Sequence, residues 1–359
     1  MRVLIACPTL AENDAIGNDI LEQCRCLREE GIEASIFAEN SPPVFRDIVT
    51  RDARRVLDDK KTVLIYHHGI HWEQGTELFR LAKGKKVVKY HNITPEHFFL
   101  PYSFDFFQTC LLGRRQNSEL MRTGIDLLLA DSNYNGDDFR DIGFPEDRIR
   151  VLAPFHRMTD YDRLVPDAAI FEKSAAGLPV VFFVGRIAPN KGHRHFIRTA
   201  YYYRMLFGED VRFVIAGGFH PSLMGYSGEV CALVRQLRLE NMVSFAGKVT
   251  VEALKAFYQK SAVFLLLSEH EGFCVPILES QYFNLPIVAF GCCAVGETLG
   301  DNQLVFDRID YQTIAAAVHT VVNDREASTF LAVNGQRNFQ RFERERLKKE
   351  FLGIIRELT

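Results

Sequence analysis

The feature that most constrains the fold is a set of short, continuous apolar segments that alternate with helical patterns in two series. The first series lies at 2–7, 33–38, 62–67, 86–91, 126–131 and 148–153, and the second at 180–185, 211–218, 242–247, 262–268 and 286–290. Strands that are apolar along their whole length are buried on both faces, as in a parallel sheet covered by helices. Two such series, each with its own core, predict two doubly wound α/β domains with a cleft between them.

The boundary between the two series lies in a polar, proline-bearing stretch around 154–179, which contains no apolar run of strand length. We therefore predict a first Rossmann-like domain over 1–158, a linker over 159–178 and a second Rossmann-like domain over 179–339. The charged end of the chain predicts one amphipathic helix. Its buried stripe would contain Phe339, Phe342, Leu347, Phe351 and Ile354.

Composition excludes several classes of protein. Of the 359 residues, 47% are hydrophobic and 25% charged, and the net charge of -3 argues against a nucleic-acid-binding protein. No apolar run reaches the length of a membrane span, and "MRVLIACPTLAEND" becomes acidic too early for a signal peptide. The eight cysteines form no C-x-x-C pair, so we expect a reduced, cytoplasmic location.

Ligands of doubly wound sheets bind at the carboxyl ends of the strands, so the loops there are informative. The loop after the first strand lacks G-x-G-x-x-G, and no G-x-x-x-x-G-K-[ST] occurs, which disfavours a nicotinamide dehydrogenase and a nucleoside triphosphatase. The loop "RIAPNKGH" instead places Arg186 and Lys191 on either side of a Pro-Asn turn. Two cations on a tight loop suit phosphate oxygens, although an exposed basic turn is the simpler alternative.

The stretch "SEHEGFCVPILES", residues 268–280, places two carboxylates around the predicted start of a helix. Pro276 suits the first helical turn, and the free amides of residues 272–275 would hold a diphosphate. Glu271 and Glu279 would repel a phosphate, so we expect them to accept hydrogen bonds from ribose and hexose hydroxyls. The alternatives are helix-start electrostatics for Glu271 and a solvent-facing position for Glu279.

These motifs together resemble a known family. "GRIAPNKG" followed by "SEHEGFCVPILES" is similar to the retaining glycosyltransferases of family 4, and the resemblance continues through "VIAGG", "LPIVAF" and "AVGETLGDNQLVF". "YHNITP", "GRRQ" and "ADSNYN" in the first half resemble the bacterial branch that builds O-antigen and exopolysaccharide chains. The resemblance implies the GT-B fold, and a hexose moved from a nucleotide-diphosphate sugar to a hydroxyl of a glycan or lipid-linked acceptor.

The resemblance also implies a role for each matching residue of the donor loops. Arg186 and Lys191, in the loop that begins at Gly185, match the pair that binds the donor diphosphate. Glu271 matches the carboxylate that contacts the transferred sugar, and Glu279 the residue that holds the ribose. The loop amides that meet the sugar and the phosphate would be those of Gly272, Phe273 and Cys274.

In the first half, His91 matches a histidine near the donor sugar and the reaction centre. Gly17 falls where the family often has two adjacent glycines near the diphosphate, whereas "AIGN" has one. The terminal helix, about 340–359, resembles the helix that crosses back onto the N-terminal domain. The catalytic residues implied are therefore His91, Glu271, Arg186 and Lys191.

No metal or other cofactor is expected. "YHHGIHW" clusters His67, His68 and His71 but carries no adjacent carboxylate pair, so polar residues at a strand end are the simpler interpretation. Fixed cations and amides would instead stabilise the charge that grows on the leaving nucleoside diphosphate. The sequence does not name the donor; the branch suggests GDP-mannose.

The acceptor side is expected in the aromatic stretch 97–116, with Phe98, Tyr102 and Arg114 as candidate residues. Aromatic side chains near Arg114 and Arg115 would line an acceptor groove or contact an anionic membrane from the cytoplasmic side. A helical hairpin packed into the core of the first domain is the alternative. The expected acceptor is a glycan, or one linked to a polyprenyl diphosphate.

Two other functions stay open at this point. A non-catalytic homologue that serves as a partner subunit would tend to lose the cations or the glutamates, and all four are present. Another GT-B enzyme, such as a nucleotide-sugar epimerase or a phosphorylase, would lack the Glu271-to-Glu279 pattern.

Overall fold

The computed structural model describes residues 1–11, 14–170 and 177–358, which form two compact units. The first unit comprises Met1–Glu96, Phe107–Arg157 and Phe342–Thr359. The second comprises His97–Phe106 and Met158–Arg341. Each unit contains one parallel six-stranded sheet.

The first unit is a doubly wound sheet with the strand order β2-β1-β3-β4-β5-β6. Its strands are β1 (Arg2–Thr9), β2 (Glu33–Asn40), β3 (Thr62–His68), β4 (Lys85–Tyr90), β5 (Leu127–Ala130) and β6 (Ile149–Val151). The helices between them are α1 (Ala15–Glu29), α2 (Ala53–Leu57), α3 (Glu73–Leu81), α4 (Phe104–Arg122, whose first three residues belong to the second unit) and α5 (Asn133–Arg140). All seven residues of β3 are buried, as expected for a central strand covered on both faces.

The second unit repeats this architecture with the order β12-β11-β10-β7-β8-β9. Its strands are β7 (Val180–Val184), β8 (Arg212–Ala216), β9 (Val243–Gly247), β10 (Val263–Leu266), β11 (Ile287–Phe290) and β12 (Leu304–Phe306). Its helices are α6 (His193–Phe207), α7 (Met224–Gln236), α8 (Val251–Lys260), α9 (Val275–Tyr282), α10 (Val295–Leu299), α11 (Tyr311–Asn323) and α12 (Arg325–Phe339). The doubly wound α/β class predicted from the apolar runs is thus confirmed in both units.

The end of the chain packs into the first unit, as the resemblance implied. Helix α13 (Arg344–Glu357) buries Leu347, Phe351 and Ile355 in the core that the first sheet shares with α1. Arg344 adds ion pairs at 2.9 Å to Glu22 and to Glu29 of α1.

Three details differ from the sequence-based expectation. The single terminal helix is interrupted: α12 ends at Phe339, a 3-10 turn spans Gln340–Phe342, and α13 follows. The short strand β12 was missed because its three residues stand between polar segments. The segment His97–Phe106 belongs to the second unit, where Tyr102 hydrogen-bonds Arg194, although the first domain was predicted to run to residue 158.

Among the described residues, no helix combines the length and the apolar character that crossing a bilayer requires. The eight cysteines all lie in the described part of the chain, and none of them forms a disulfide.

Candidate active site

In each sheet the chain reverses its winding direction at one point, and ligands of doubly wound sheets bind there. In the second unit the reversal lies between β7 and β10, whose following loops carry Lys191 and Glu271. In the first unit it lies between β1 and β3, and His67 is near the end of β3. The candidate residues therefore collect at the position that the topology favours in each unit.

The two donor loops of the second unit are bonded to each other through their backbones. Gly192 has φ 66°, and a Cβ atom there would lie 1.8 Å from the carbonyl oxygen of Leu267, so only glycine fits. The Asn190 carbonyl accepts a hydrogen bond of 2.8 Å from the amide of Glu269, and the Asn190 side-chain amide donates to the His270 carbonyl at 3.2 Å. These contacts hold the two loops in a fixed relation.

This docking places Lys191 against Glu271. The Lys191 Nζ lies 2.8 Å from both Glu271 carboxylate oxygens, with side-chain exposures of 24% and 7% respectively. Burial alone would lower the pKa of Lys191, but the Glu271 carboxylate outweighs burial and raises that pKa. The lysine is therefore a fixed positive charge, and the carboxylate is oriented by it.

Arg186 completes the positive side of the loop. Its side chain is exposed, and within the described ranges it makes no hydrogen bond or ion pair. Helix α9 begins just after Glu271 on the other donor loop, and no described side chain caps its first turn. Its N-cap residue, Cys274, has φ 74°, and Pro276 in the first turn has no N–H to satisfy. A helix start of this kind favours an anion.

Phe273 and Cys274 are both buried at 7% exposure. Burial of these side chains means that they would contact a ligand through backbone amides rather than through the ring or the thiol. Burial also raises the pKa of the Cys274 thiol well above its ordinary value, so the thiol stays protonated.

Glu279 is held by two tyrosines rather than projecting freely into solvent. The Tyr258 hydroxyl donates to Glu279 Oε2 at 2.6 Å, and the Tyr161 hydroxyl donates to Oε1 at 3.1 Å. Burial raises the pKa of Glu279, and the two hydroxyls partly offset that rise. Each carboxylate oxygen retains a lone pair for a further donor, so the tyrosines orient Glu279 without saturating it.

In the first unit, His91 follows β4 and is held by a buried carboxylate. Its Nδ1 lies 2.8 Å from Asp131 Oδ2, while Asp131 Oδ1 accepts from the buried Lys89 ammonium, which also donates to the Leu152 carbonyl. Burial would raise the pKa of Asp131, but His91 and Lys89 outweigh burial and lower it. An ionised Asp131 fixes a proton on His91 Nδ1.

The other ring nitrogen of His91 faces His67 and Asp19. His91 Nε2 lies 2.8 Å from His67 Nδ1, and Asp19 Oδ2 lies 3.8 Å from His67 Nδ1 and 3.9 Å from His91 Nε2. Burial lowers the pKa of His67 well below its ordinary value and raises that of Asp19. Within the described ranges these three side chains form a group of the type that can bind a metal ion. The sequence argument considered only carboxylates adjacent to "YHHGIHW", whereas Asp19 reaches His67 and His91 from α1.

Gly17 lies in the first turn of α1 rather than in a loop. Its amide donates to the Asp14 cap at 3.2 Å, and a Cβ atom at Gly17 would lie 2.4 Å from the Ala11 carbonyl oxygen. The glycine is thus required by close backbone packing, and its amide is already bonded to Asp14.

The three acceptor candidates are not brought together in one unit. Phe98 and Tyr102 belong to the second unit, where the Tyr102 ring packs on Tyr226 at 5.3 Å between centroids. Arg114 belongs to the first unit, where it donates to Asp138 at 3.1 Å and to the Ile93 carbonyl at 3.1 Å. The side chains of Tyr102 and Arg114 are thus bonded within their own units.

Comparison with known proteins agrees with this architecture. Residues 167–338 match the family described as glycosyl transferases group 1. Over its full length the chain superimposes on the Anabaena protein HepE in complex with UDP and glucose, with a TM-score of 0.75, 17% identity and 99% of both chains covered. Sucrose-phosphate synthase from Thermosynechococcus elongatus gives a TM-score of 0.75 at 14% identity, covering 100% of this chain and 99% of that one. The protein has the GT-B fold.

Curated relatives of this GT-B protein carry the names of glycosyltransferases. An α-1,4-N-acetyl-D-galactosaminyltransferase of Campylobacter jejuni, which by its name acts on an undecaprenol-diphosphate-linked glycan, is 28% identical over 196 residues, 54% of this chain and 52% of the relative. O-antigen chain mannosyltransferase B of Escherichia coli is 27% identical over 213 residues, 56% of this chain and 54% of the relative. The aligned part spans about half the length of these relatives. The sequence similarity is thus to glycosyltransferases, and the structural similarity shows the GT-B fold.

Sequence reasoning missed four residues of these sites: Asp19, Asp131, Tyr161 and Tyr258. Asp131 stands at the end of the strand predicted over 126–131, and a polar residue at a strand end is the one sequence signal that could have marked it as a site residue. Tyr161 lies in the segment predicted to be a linker, and Asp19 and Tyr258 lie on helices. Nothing in their local sequence indicates a ligand site, because their partners are distant along the chain.

Proposed function

We propose that this GT-B protein is a retaining glycosyltransferase of family 4 that moves a hexose from a nucleoside-diphosphate sugar to a hydroxyl of a glycan or lipid-linked acceptor. The observation that carries the proposal is the Lys191–Glu271 pair, with the Lys191 Nζ 2.8 Å from both carboxylate oxygens. It joins a phosphate-binding cation and a hydroxyl-accepting carboxylate at the switch point of the second sheet.

Positive charge for the leaving group comes from three sources in the second unit. Lys191 is positioned by Glu271, Arg186 is exposed, and the amides at the start of α9 point at the same charge. Breaking the anomeric C–O bond leaves negative charge on the nucleoside diphosphate, and donors that are already in position stabilise that charge without reorganisation. In this proposal the diphosphate is bound without a metal ion.

Two carboxylates bind the hydroxyl groups of the donor. Glu279, oriented by Tyr258 and Tyr161, accepts hydrogen bonds from the ribose. Glu271 contacts the transferred sugar through the lone pairs that Lys191 leaves unused. The amides of Gly272, Phe273 and Cys274 meet the sugar and the diphosphate, which suits the buried Phe273 and Cys274 side chains.

The proposal assigns His91 to the reacting end of the sugar. The hydrogen bond from Nδ1 to Asp131 fixes the orientation of its ring. The relatives' names, a mannosyltransferase and an N-acetylgalactosaminyltransferase, support a bacterial surface glycan as product and make GDP-mannose and UDP-sugars the first donors to try.

The proposal is tested by incubating the purified protein with GDP-, UDP-, ADP- and dTDP-sugars. A bound donor is expected to raise the melting temperature by mass action, and that donor alone should release nucleoside diphosphate when an acceptor is present. Arg186→Ala should lose the release while Arg198→Ala, an exposed arginine on α6, keeps it. No shift with any donor, or equal release from both variants, would contradict the proposal.

We further propose a reversible contact with an anionic membrane that presents the lipid-linked acceptor. In the second unit, Leu100 and Phe104 are exposed at 58% and 66%. A basic residue near an anionic membrane surface contributes only about 1 kcal/mol to membrane binding. Exposed apolar side chains would add the membrane affinity that a few basic residues alone do not supply. Leu100→Ser with Phe104→Ser should abolish co-sedimentation with anionic liposomes.

Phe330→Ser is the matched control, because Phe330 of α12 is also exposed, at 56%. Equal loss of liposome binding in the control and the test variant would indicate nonspecific hydrophobic adsorption. Absence of binding by the unaltered protein would indicate an acceptor that is free in solution.

A further inference from the structure

In the first unit, one carboxylate oxygen and two imidazole nitrogens, all atoms that can bind a metal ion, lie close together. Asp19 comes from α1, His67 from β3, and His91 from the residue after β4, so the fold collects them from three elements. His67 Nδ1 and His91 Nε2 lie 2.8 Å apart, and Asp19 Oδ2 lies 3.8 Å from the first and 3.9 Å from the second. Two imidazoles and one carboxylate are a common ligand set for a divalent transition metal.

The outward-facing atom of each ligand is bonded to a partner. His67 Nε2 lies 3.2 Å from Gln23 Oε1, and His91 Nδ1 lies 2.8 Å from Asp131 Oδ2. Asp19 Oδ1 accepts from the Gln23 side-chain amide at 3.0 Å and from the Phe155 backbone amide at 2.8 Å. Partners of this kind fix the tautomer of a metal-bound histidine and the orientation of its ring.

The inward-facing oxygen of Asp19 lacks such a partner. Asp19 is 0% exposed, and its Oδ2 has no hydrogen-bond partner among the described residues. A buried carboxylate oxygen without a donor is costly, because burial removes its water and nothing replaces it. A cation held between Asp19 and the two imidazoles would satisfy this oxygen.

We propose that the first unit binds one divalent transition-metal ion of the Zn²⁺ type through Asp19 Oδ2, His67 Nδ1 and His91 Nε2. The point equidistant from these atoms lies in their plane, about 2.1 Å from each, which is the usual bond length from zinc to imidazole nitrogen and carboxylate oxygen. The two nitrogens, now 2.8 Å apart in a hydrogen bond, would move apart on binding so that the ion takes tetrahedral geometry. The ion replaces the proton that the two imidazoles share. Magnesium and calcium fit less well, since they prefer oxygen ligands.

The surroundings are compatible with the added charge. The buried Lys89 ammonium, which donates to Asp131 and to the Leu152 carbonyl, is close enough to act on His67 and Asp19, and the Asp131 carboxylate between Lys89 and His91 offsets its charge. Three protein ligands leave one tetrahedral position open for water or for an oxygen of a bound molecule. His91, with 5% of its side chain exposed against 0% for His67 and Asp19, marks the direction from which such a ligand would enter.

The test is direct titration of chelator-treated protein with Zn²⁺ by isothermal calorimetry, and with Co²⁺ by visible absorption. We expect one equivalent of Zn²⁺ and an intense cobalt band that reports four-coordinate nitrogen and oxygen ligation. Asp19→Asn keeps the acceptor for Phe155 and removes the anionic ligand. This substitution should weaken Zn²⁺ binding by more than about a hundredfold, which exceeds the loss typical when a residue that only hydrogen-bonds to a metal ligand is replaced.

His97→Gln, which removes an exposed histidine of the second unit, should leave the titration unchanged. If Asp19→Asn does not fold, His67→Gln takes its place with the same expectation. Absence of binding by the unaltered protein, or equal binding by the altered ligand variants, would overturn the site. Because the readout is metal binding, the result is independent of whether the protein transfers a sugar.

Discussion

Replacing Lys191 by alanine tests the donor site most sharply, because the structure predicts separate effects on turnover and on stability. The ammonium lies 2.8 Å from each oxygen of Glu271 and belongs to the proposed positive side of the leaving-group site. Removing one such preorganised donor typically raises the activation barrier by roughly 2.7–4 kcal/mol, which is about a hundred- to thousandfold in kcat. We expect a loss of that size for Lys191→Ala.

The effect on stability follows from what Lys191 leaves behind. The Glu271 side chain is 7% exposed and would lose its cation, and an unsatisfied buried polar group costs about 1–3 kcal/mol of unfolding free energy. With an unfolding entropy of about 2.1 cal/mol/K per residue, each kcal/mol corresponds to about 1.3 °C in Tm for a chain of 359 residues. Adding Glu271→Gln removes the stranded charge, so the double variant should regain most of the lost Tm while its turnover stays low.

The assay pairs single-turnover release of nucleoside diphosphate with thermal unfolding, for the single variant, the double variant and the Arg198→Ala control on α6. Turnover of Lys191→Ala within about threefold of the unaltered protein would refute the catalytic role, since such a change is under 1 kcal/mol. Recovery of turnover together with Tm in the double variant would show that Lys191 acts only by neutralising Glu271.

Three further predictions concern the two carboxylates, the donor's charge and the pH response. Glu279→Gln should raise the KM for the donor, because a contact to the ribose is equally strong in the ground state and the transition state. Glu271→Gln should lower kcat, because a contact to the reacting sugar strengthens in the transition state. Identical effects of the two variants on KM and kcat would contradict these separate roles. Nucleoside-diphosphate affinity measured in excess EDTA should match that in its absence, because protein cations and amides supply the charge, and a loss restored by magnesium would contradict this. Burial lowers the pKa of His193 to about 3, so as the pH falls from about 6.5 towards 3 the unfolded state alone takes up a proton at this histidine and the Tm should fall. His193→Gln should flatten this decline in Tm. A curve of Tm against pH parallel to that of the unaltered protein would exclude His193 as a cause.

Much of the fold can be predicted from local sequence. Continuous apolar runs of strand length predict buried parallel strands. Of the twelve strands in the described part of the chain, eleven are predicted this way, because each run is long enough to stand out from its flanking loops. Strand β12, with only Leu304–Phe306, is too short to carry that signal. The donor loops were found because Arg186 and Lys191 share one loop, and Glu271 directly precedes Gly272 and the start of a helix.

Long-range contacts were decided by the tertiary structure alone. The ion pair between Lys191 and Glu271 joins residues that are 80 positions apart, and it depends on Gly192 packing against the end of β10. Tyr161 reaches Glu279 across 118 positions, from a segment whose composition resembles a linker. Composition and periodicity do not encode such pairs, because they arise from loop docking after the sheet has formed.

The cluster of Asp19, His67 and His91 shows the same division between what sequence predicts and what tertiary structure decides. The sequence by itself predicts His67 and His91 at the ends of two successive strands, over 62–67 and 86–91, which sets both at one edge of a parallel sheet. It did not place Asp19, because a helical residue after β1 has no local mark that distinguishes it from its neighbours. Only the winding of the sheet, with β3 next to β1, carries the α1 carboxylate to the two imidazoles, and the buried oxygen that results is a property of packing rather than of sequence.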